Sequence, residues 1–576
     1  MNKDLAKAIS LHTEGLHDKA LHYYTKCIKH SPKCSPLLYQ NYGALLRSNS
    51  KTEESLKIYN DGLRLFPGNV GITTNLANLL RDDSPTKSIS LYLKVVRLRL
   101  SQNDVKKANE VVYSLLTLLS EIGCDSWAFR ICIYWIKYIK VSPQMILHLA
   151  SLLEEQLPAS VHLSLLQSLS KLDAEFSLQE KAELHFCLAT MYLANGDFGL
   201  SDSSYKLALS CLHQDNSIDT EKKQYTITVG SWNYSNVLLK HQFFERGWRL
   251  YDFGLISPAE GKQRWQRALA KPFSSTELPL WRGESLVGKR LLILDEQAIG
   301  DGMQFLTLVG TLISEASHID LLLSDRLIPI YTRSFSTALS EGKLTIWSRK
   351  SAIKKNIPVQ LISFQTPLGS ICRYRFTDIQ SYSPSVPVLK ANLELSTELR
   401  SKYLSQSLQP VRRIVGISWR GGPKGSRMKR KSVSQEDFSY LLSVEDTLFV
   451  SLQYGQSKSI VAGWRDSGFN VIHDDSIDPL KDMDTWLSQV SACDAVVSVA
   501  NTTIHGSGGL NVPTMCLLSE QPDWRWFVDP EVQRSYWYPS VGISRQVGDN
   551  WSPALEKAMR WIQNGCPYPT GPISTT

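Results

Sequence analysis

The chain of 576 residues lacks any uncharged apolar run of the roughly 18 residues that a bilayer span requires. Its first residues, MNKDLAKAISLH, are amphipathic and hold no apolar signal-peptide core. Its ten cysteines, at 27, 34, 124, 132, 187, 211, 372, 493, 516 and 566, form no CxxC pair and no cluster with histidine. That spacing excludes a zinc-finger framework and favours buried thiols in a reducing compartment. The expectation is a cytoplasmic protein with no transmembrane segment and no metal. Charge of one sign is also scarce. A formal charge of +8 is thin over this length, and lysine and arginine gather only locally, as in RMKRK at 427–431. With no long basic stripe and no recognised reading module, no nucleic-acid partner is expected.

What is present is core-forming material: 43% hydrophobic residues with 15 Trp and 23 Tyr. This length implies about two to four domains. The hydrophobic period changes near residue 285. Before it, apolar residues recur at three and four, as in KALHYYTKCIKH and VVYSLLTLLSEI; after it, short Val/Ile/Leu runs alternate with helical stretches. The expected organisation is a helical domain over 1–255, a linker over 256–286 marked by Pro258, Pro272 and Pro279, and two α/β domains over 287–398 and 411–576.

The helical part repeats. Gly15, Ala20, Tyr24, Cys27 and Pro32 are answered by Ser50, Ser55, Tyr59, Gly62 and Pro67, with Gly43 in the second unit. Small residues where helices cross, an aromatic filling the groove and a closing proline match the spacing of tetratricopeptide repeats. Further units cover Asn75 to Val96, Ala189 to Ala208 and Ser235 to Gly254, and residues 100–180 read as degenerate repeats. Such a solenoid offers a concave surface to a peptide or protein.

The α/β part reads as two βαβ series in tandem, a pairing that binds ligands in the cleft at the carboxyl ends of the strands. KRLLILDEQ, HIDLLLS, KLTIWS and VQLISF are the strands of the first series; RIVGISW, TLFVSLQY, NVIHD, DAVVSVA and VPTMCLL are those of the second. In VSVANTTIHGSGGLNVP a strand ends at Ala500 and a glycine-rich helix follows, so Asn501, Thr502, Thr503, His505 and the helix N-terminus can converge on an anion, with tight packing as the alternative use of the glycines. In DEQAIGDGMQF, Glu296, Gln297, Gly300, Asp301 and Gly302 occupy the first loop, where an exposed carboxylate can reach a ligand; capping the next helix is the equal alternative for Asp301. In ISWRGGPKGSRMKRKSVS, Trp419, Arg420, Arg427, Lys429, Arg430, Lys431 and Ser432 follow a strand, and Gln453 and Tyr454 end another. Asp482 and Asp484 form a DxD in the first turn of a helix, which suits capping more than a metal. PDWRWFVDP and SYWYPS either line a ligand or pack domains.

Taken in order, EQAIGD, ISWRGG, the KS before a helix, SLQYG, DPLKDMDTW, NTTIHGSGGLNVP and PDWRWF with SYWYPSV resemble bacterial tetratricopeptide-repeat glycosyltransferases. Their catalytic half is similar to the heptosyltransferases, and their layout to the protein O-GlcNAc transferases. The resemblance implies an N-terminal tetratricopeptide-repeat α-solenoid followed by a GT-B pair of Rossmann-like α/β domains. It implies inverting, metal-independent transfer of a sugar from a nucleoside-diphosphate donor, with no other cofactor, to a protein or surface-glycan acceptor. Asp301 would be the general base; Lys431, Asn501, Thr502 and Thr503 would neutralise the leaving diphosphate, with His505 and Gln453 on the donor and Gln297, Gly300, Trp419, Arg420, Ser432 and Tyr454 along the cleft. Repeats of this kind also imply a protein acceptor or self-association. One departure stands out: Ala500 occupies a strand end where many heptosyltransferases have Asp. A scaffold with a degenerate cleft is the alternative that Ala500 keeps open.

Overall fold

The computed structural model describes residues 3–573 apart from 50, 123, 125–126, 129, 132–133, 136–158, 171–175, 256–266, 268–272, 350–355, 383–385, 422–427, 429, 456, 521 and 549. Much of the expected degenerate-repeat stretch and of the linker, including Pro258 and Pro272, lies outside these residues, as do Arg427 and Lys429. The chain divides into two compact units, 1–176 and 177–576.

The first unit is built of helical hairpins: Lys3–Thr13 with His17–His30, Pro36–Ser48 with Thr52–Leu65, and Val70–Leu79 with Pro85–Ser101, followed by Val105–Glu121 and Ala159–Ser170. The repeat positions do the work their residue types suggest. Tyr24, Tyr59 and Tyr92 are each at most 1% exposed and fill equivalent grooves. A Cβ on Gly43 would stand 2.3 Å from the Tyr59 ring, so this crossing admits only glycine. Four residues before each of two of these tyrosines a serine hydroxyl donates to a carbonyl of the preceding helix: Ser55 to Gly43 at 2.8 Å and Ser88 to Ala77 at 2.7 Å. Each bond satisfies a polar group inside a dry crossing and fixes the hairpin's register.

The second unit begins with two more hairpins, Leu178–Ala194 with Phe198–Gln214 and Thr220–Lys240 with Phe244–Tyr251. Ser201 repeats the same bond, to Ala189 at 2.7 Å. The change of period near 285 therefore marks a change of secondary structure, whereas the compact unit starts at 177. The last hairpin is joined to the α/β part by an aromatic seam. Phe244, Trp248 and Tyr251 are buried with Phe305, Trp524, Phe527, Tyr536 and Trp537 in one core. The Trp248 ring lies 5.4 Å from Trp524, and Phe244 5.7 Å from Phe527. The rings of Trp524 and Phe527 in PDWRWFVDP and of Tyr536 and Trp537 in SYWYPS thus pack domains.

Both sheets are parallel. The first runs β3-β2-β1-β4, with β1 Arg290–Leu294, β2 His318–Leu323, β3 Leu344–Ser348 and β4 Phe364–Pro367. The second runs β10-β9-β8-β5-β6-β7, with β5 Arg413–Ser418, β6 Thr447–Ser451, β7 Val471–Ile472, β8 Ala495–Val499, β9 Thr514–Leu518 and β10 Val541–Arg545. The second order is that of a doubly wound dinucleotide fold, with its switch point between β5 and β8; the first reverses between β1 and β4. Two details differ from expectation. VQLISF forms a 3₁₀ turn at Val359–Leu361 and only then enters β4, because Pro358 precedes it and Ile362 turns into the sheet edge. The residues after 398, left outside both expected α/β domains, begin as the end of helix Leu393–Ser405, held to the second sheet's side by Lys402 and Tyr403 on Asp474 at 2.7 and 3.1 Å. Among the described residues no helix is long and apolar enough to cross a membrane.

Arg267 ties the parts of the second unit together. Its guanidinium, fully buried, donates to both carboxylate oxygens of Glu296 at 3.0 Å, to Asp252 at 2.8 Å and to Ser370 at 3.0 Å. Its carbonyl accepts the Gln297 N–H at 2.7 Å. Removing one partner of such a set leaves a charge buried alone. Arg267→Ala is expected to destabilise the unit by about 3–5 kcal/mol, read as a lower denaturant midpoint. The double change Arg267→Met with Glu296→Leu should recover most of that, since Asp252 keeps Arg373 at 2.8 Å.

Candidate functional site

The carboxyl ends of β1 and β8 carry the two loops singled out in the sequence, and the structure brings them into contact. Helix Ile299–Leu306 follows β1 and helix Thr502–Gly509 follows β8. A Cβ on Gly300 would lie 3.0 Å from His505 Cδ2 and 3.5 Å from Thr502 Oγ1. The two helices meet at this one glycine.

Asp301 does cap its helix, accepting the Ala298 N–H at 3.2 Å. It is only 9% exposed. Its other oxygen accepts from the Arg525 guanidinium, which arrives from the second α/β domain. Arg525 lies over the Trp524 ring at 4.4 Å and within 3.5 Å of Asp523, and its own N–H donates to Asp523 at 3.1 Å. The far oxygen of Asp523 accepts from Lys431 at 2.8 Å. Four alternating charges, Asp301, Arg525, Asp523 and Lys431, therefore form one chain across the two domains. Burial pulls the Arg525 guanidinium below its usual value. Burial pushes the Asp523 carboxyl up, but Lys431 and the Arg525 N–H outweigh it and carry it below the usual carboxylate range.

His505 is 8% exposed, with Nδ1 3.1 Å from the Tyr538 hydroxyl. Burial lowers its pKa from 6.5 to about 4, against a smaller opposing pull from Asp523. At neutral pH it is an uncharged ring facing Gly300.

Several residues expected to touch a donor are engaged in holding the loops around the switch point. Asn501 caps helix Thr502–Gly509 by accepting the Thr503 N–H at 2.8 Å, and its amide donates to Ser418 at 2.8 Å and to the Arg420 carbonyl at 2.9 Å. Its donors are spent on the β5 loop. The Gln453 carboxamide oxygen accepts from Ser418, Trp419 N–H and Arg420 N–H at 3.1, 3.1 and 2.8 Å, so it sets the path of the same loop. Trp419 is 1% exposed and packs on Trp464 and Phe438. Ser432 closes its loop on the Gly421 N–H at 3.2 Å. Gln297, at φ 59°, donates to the Tyr251 hydroxyl at 2.6 Å. Glu296 is not an exposed carboxylate: it is 1% exposed and held by Arg267. The glycines after His505 serve helix packing. A Cβ on Gly506, Gly508 or Gly509 would meet Trp486, Tyr538 or Leu389 at 2.9, 2.4 or 2.6 Å. Asp482 caps its helix through the Asp484 and Thr485 N–H groups, and Asp484 pairs with Arg333.

Thr502, Arg420 and Tyr454 are partly exposed around the β5–β8 switch point, with Lys431 and the backbone of Thr503 at its rim. Arg420 reaches the Tyr454 carbonyl at 3.3 Å. Asp523, Arg525 and Tyr538 complete the arrangement; the sequence marked their segments, PDWRWFVDP and SYWYPS, as lining a ligand or packing domains without naming these three residues. The signal for the first two is the pair of opposite charges set inside the aromatic run of PDWRWF.

Two outcomes follow. Gly300→Ala should force His505 aside and loosen the contact between the two helices, read as a lower melting temperature by a few degrees, on the scale of about 1–3 kcal/mol for overpacking. Below pH 6.5 the unfolded chain takes up a proton at residue 505 that the folded chain refuses until about pH 4, so stability falls as pH drops through that window. This site contributes a loss of about 3 kcal/mol, and His505→Gln should flatten that part of the pH–stability curve.

No family model matches the chain. Among curated proteins it is similar to Protein FlbA of Caulobacter vibrioides, 23% identical over 289 residues, covering 48% of this chain and 46% of that protein. The chain thus spans about half the length of that relative. Among solved structures it is similar to the glycosyl transferase family 9 protein from Veillonella parvula DSM 2008, with 12% identity and a TM-score of 0.34 over 49% of this chain and 98% of that one. It is similar to the E. coli ADP-heptose lps heptosyltransferase II, with 14% identity and a TM-score of 0.33 over 48% of this chain and 100% of that one. It is also similar to YrrB, a TPR protein, with 15% identity and a TM-score of 0.23 over 33% of this chain and 93% of that one.

Proposed function

We infer that the chain is a glycosyltransferase that moves a sugar from a nucleoside-diphosphate donor to an acceptor hydroxyl. The observation that supports this reading best is the pairing of two parallel sheets whose switch-point loops meet. An acid, Asp301, stands on one side; Lys431 and the N-terminus of helix Thr502–Gly509 stand on the other. Diphosphate bound at the β5–β8 switch point meets the positive helix end, the Thr502 hydroxyl and the Lys431 ammonium. Asp301 takes the proton of the acceptor hydroxyl as that oxygen attacks the anomeric carbon from the opposite face. The bond from the anomeric carbon to the diphosphate oxygen breaks, its electron pair leaves with the nucleoside diphosphate, and configuration inverts. Charge growing on the leaving group is met by donors already fixed in place, which is how such sites lower a barrier without reorganising.

Asp482 and Asp484 are committed to a helix cap and to Arg333. The reading therefore assigns leaving-group charge to Lys431 and backbone donors and needs no metal. With Ala500 at the strand end, donor hydroxyls would be recognised elsewhere than by a carboxylate at that position. A protein or surface-glycan acceptor held along the repeats, self-association through them and a cytoplasmic setting belong to the same reading.

Calorimetric titration with UDP, GDP, ADP, CDP and dTDP in EDTA is expected to find one that binds, and Lys431→Ala to weaken it by about tenfold or more, as loss of a charged phosphate contact does. Asp301→Asn is expected to lower sugar transfer by about 10²- to 10⁴-fold, the usual worth of a general base, while nucleotide binding persists. Absence of binding to all five moves the chain to the scaffold reading.

A further inference from the structure

Asp301 and Lys431, the two groups on which the proposed transfer depends, are each engaged by one of two adjoining residues. Arg525 holds the carboxylate, Asp523 holds the ammonium, and the two intermediaries touch each other. Trp524 and Trp526 anchor that segment in the aromatic core, which sets both side chains between Asp301 and Lys431. Asp523 sits between two cations and can satisfy either. Its one oxygen accepts from Lys431 at 2.8 Å; the other accepts the Arg525 N–H at 3.1 Å and lies 3.5 Å from the Arg525 guanidinium.

We propose that Arg525 and Asp523 form a charge-exchange relay that unmasks Asp301 as a base when a nucleoside diphosphate claims Lys431. This rests on the glycosyltransferase reading and adds an order of events to it. Phosphate oxygens compete with Asp523 for the Lys431 ammonium. Asp523, losing that partner, takes a larger share of Arg525 at a separation already near contact. Arg525 then gives up Asp301, whose carboxylate becomes free to accept a proton from the acceptor hydroxyl. No covalent bond changes in the relay; one set of ion pairs replaces another, so each buried charge keeps a partner throughout. Before the donor arrives the base is blocked. Arg525 and Asp523 are positioning residues, acting through Asp301 and Lys431.

The coupling must run both ways, because linked equilibria are reciprocal. Weakening the hold of Asp301 on Arg525 returns Arg525 to Asp523 and so releases Lys431 for phosphate. A residue on the acceptor side therefore alters nucleotide affinity with a predicted sign. Calorimetric titration of the full chain with the five nucleoside diphosphates tests it in near-isosteric variants that keep the folded melting profile. Asp301→Asn and Asp523→Asn should each bind the preferred nucleotide about tenfold more tightly, within the range of couplings between linked sites. The double variant should bind no more tightly than either single one, since both changes free the same lysine. Arg525→Gln should bind about tenfold more weakly, and Arg525→Lys should restore part of the loss. A merely structural role would weaken all of them together. Wild-type binding that is unchanged or weakened in Asp301→Asn overturns the relay and leaves the donor site standing. If no nucleotide binds the wild type or either Asn variant, the donor site itself falls and the relay with it.

Discussion

The second unit depends on a single buried guanidinium. Arg267 takes Asp252 from the end of the last repeat hairpin, Glu296 from the end of β1 and Ser370 from beyond β4, and its carbonyl fixes the Gln297 N–H. Three segments far apart in the sequence are thereby required to end at one point. Burying a charge this completely is tolerated only with full pairing, so the arrangement has little freedom to slide. The loop that starts with Glu296 and leads to Asp301 inherits that rigidity, and Asp301 is positioned by a residue to which it is not bonded.

Much of the architecture was legible in the sequence because it rests on periodicity. The tyrosines at 24, 59 and 92 and the serines at 55 and 88 repeat with the hairpins and occupy equivalent places. The strands of the second sheet are apolar runs bounded by polar turns, and β5, β6, β8 and β9 fall where those runs lie. β10 and helix Ser552–Gln563 were not anticipated, since the aromatic segment before them obscures the change of period. The meeting of the β1 and β8 loops was anticipated from the common rule for ligand placement in such sheets.

The roles of individual site residues were harder to read, for definite reasons. Small residues after a strand have the same composition whether their backbone approaches a ligand or a neighbouring ring. In Gly506, Gly508 and Gly509 the neighbours are Trp486, Tyr538 and Leu389. An asparagine at a strand end can donate to phosphate or hold a loop, and Asn501 holds Ser418 and Arg420, more than eighty positions away. Arg525 meets Asp301 across 224 positions. No local pattern encodes such a pairing, because it arises only when loops of the two α/β domains meet.

The aromatic seam sets a limit on how this architecture can change over time. Phe244, Trp248 and Tyr251 belong to the same core as Trp524 and Trp537, and all of them lie after residue 177. Loss of the hairpin of Thr220–Lys240 with Phe244–Tyr251 would tear open that core, whereas the first hairpins of the chain close their grooves with their own tyrosines. The first unit is therefore open to lengthening and shortening in a way that the hairpin beside the sheets is not, and that hairpin travels with them as an inherited part of the α/β body.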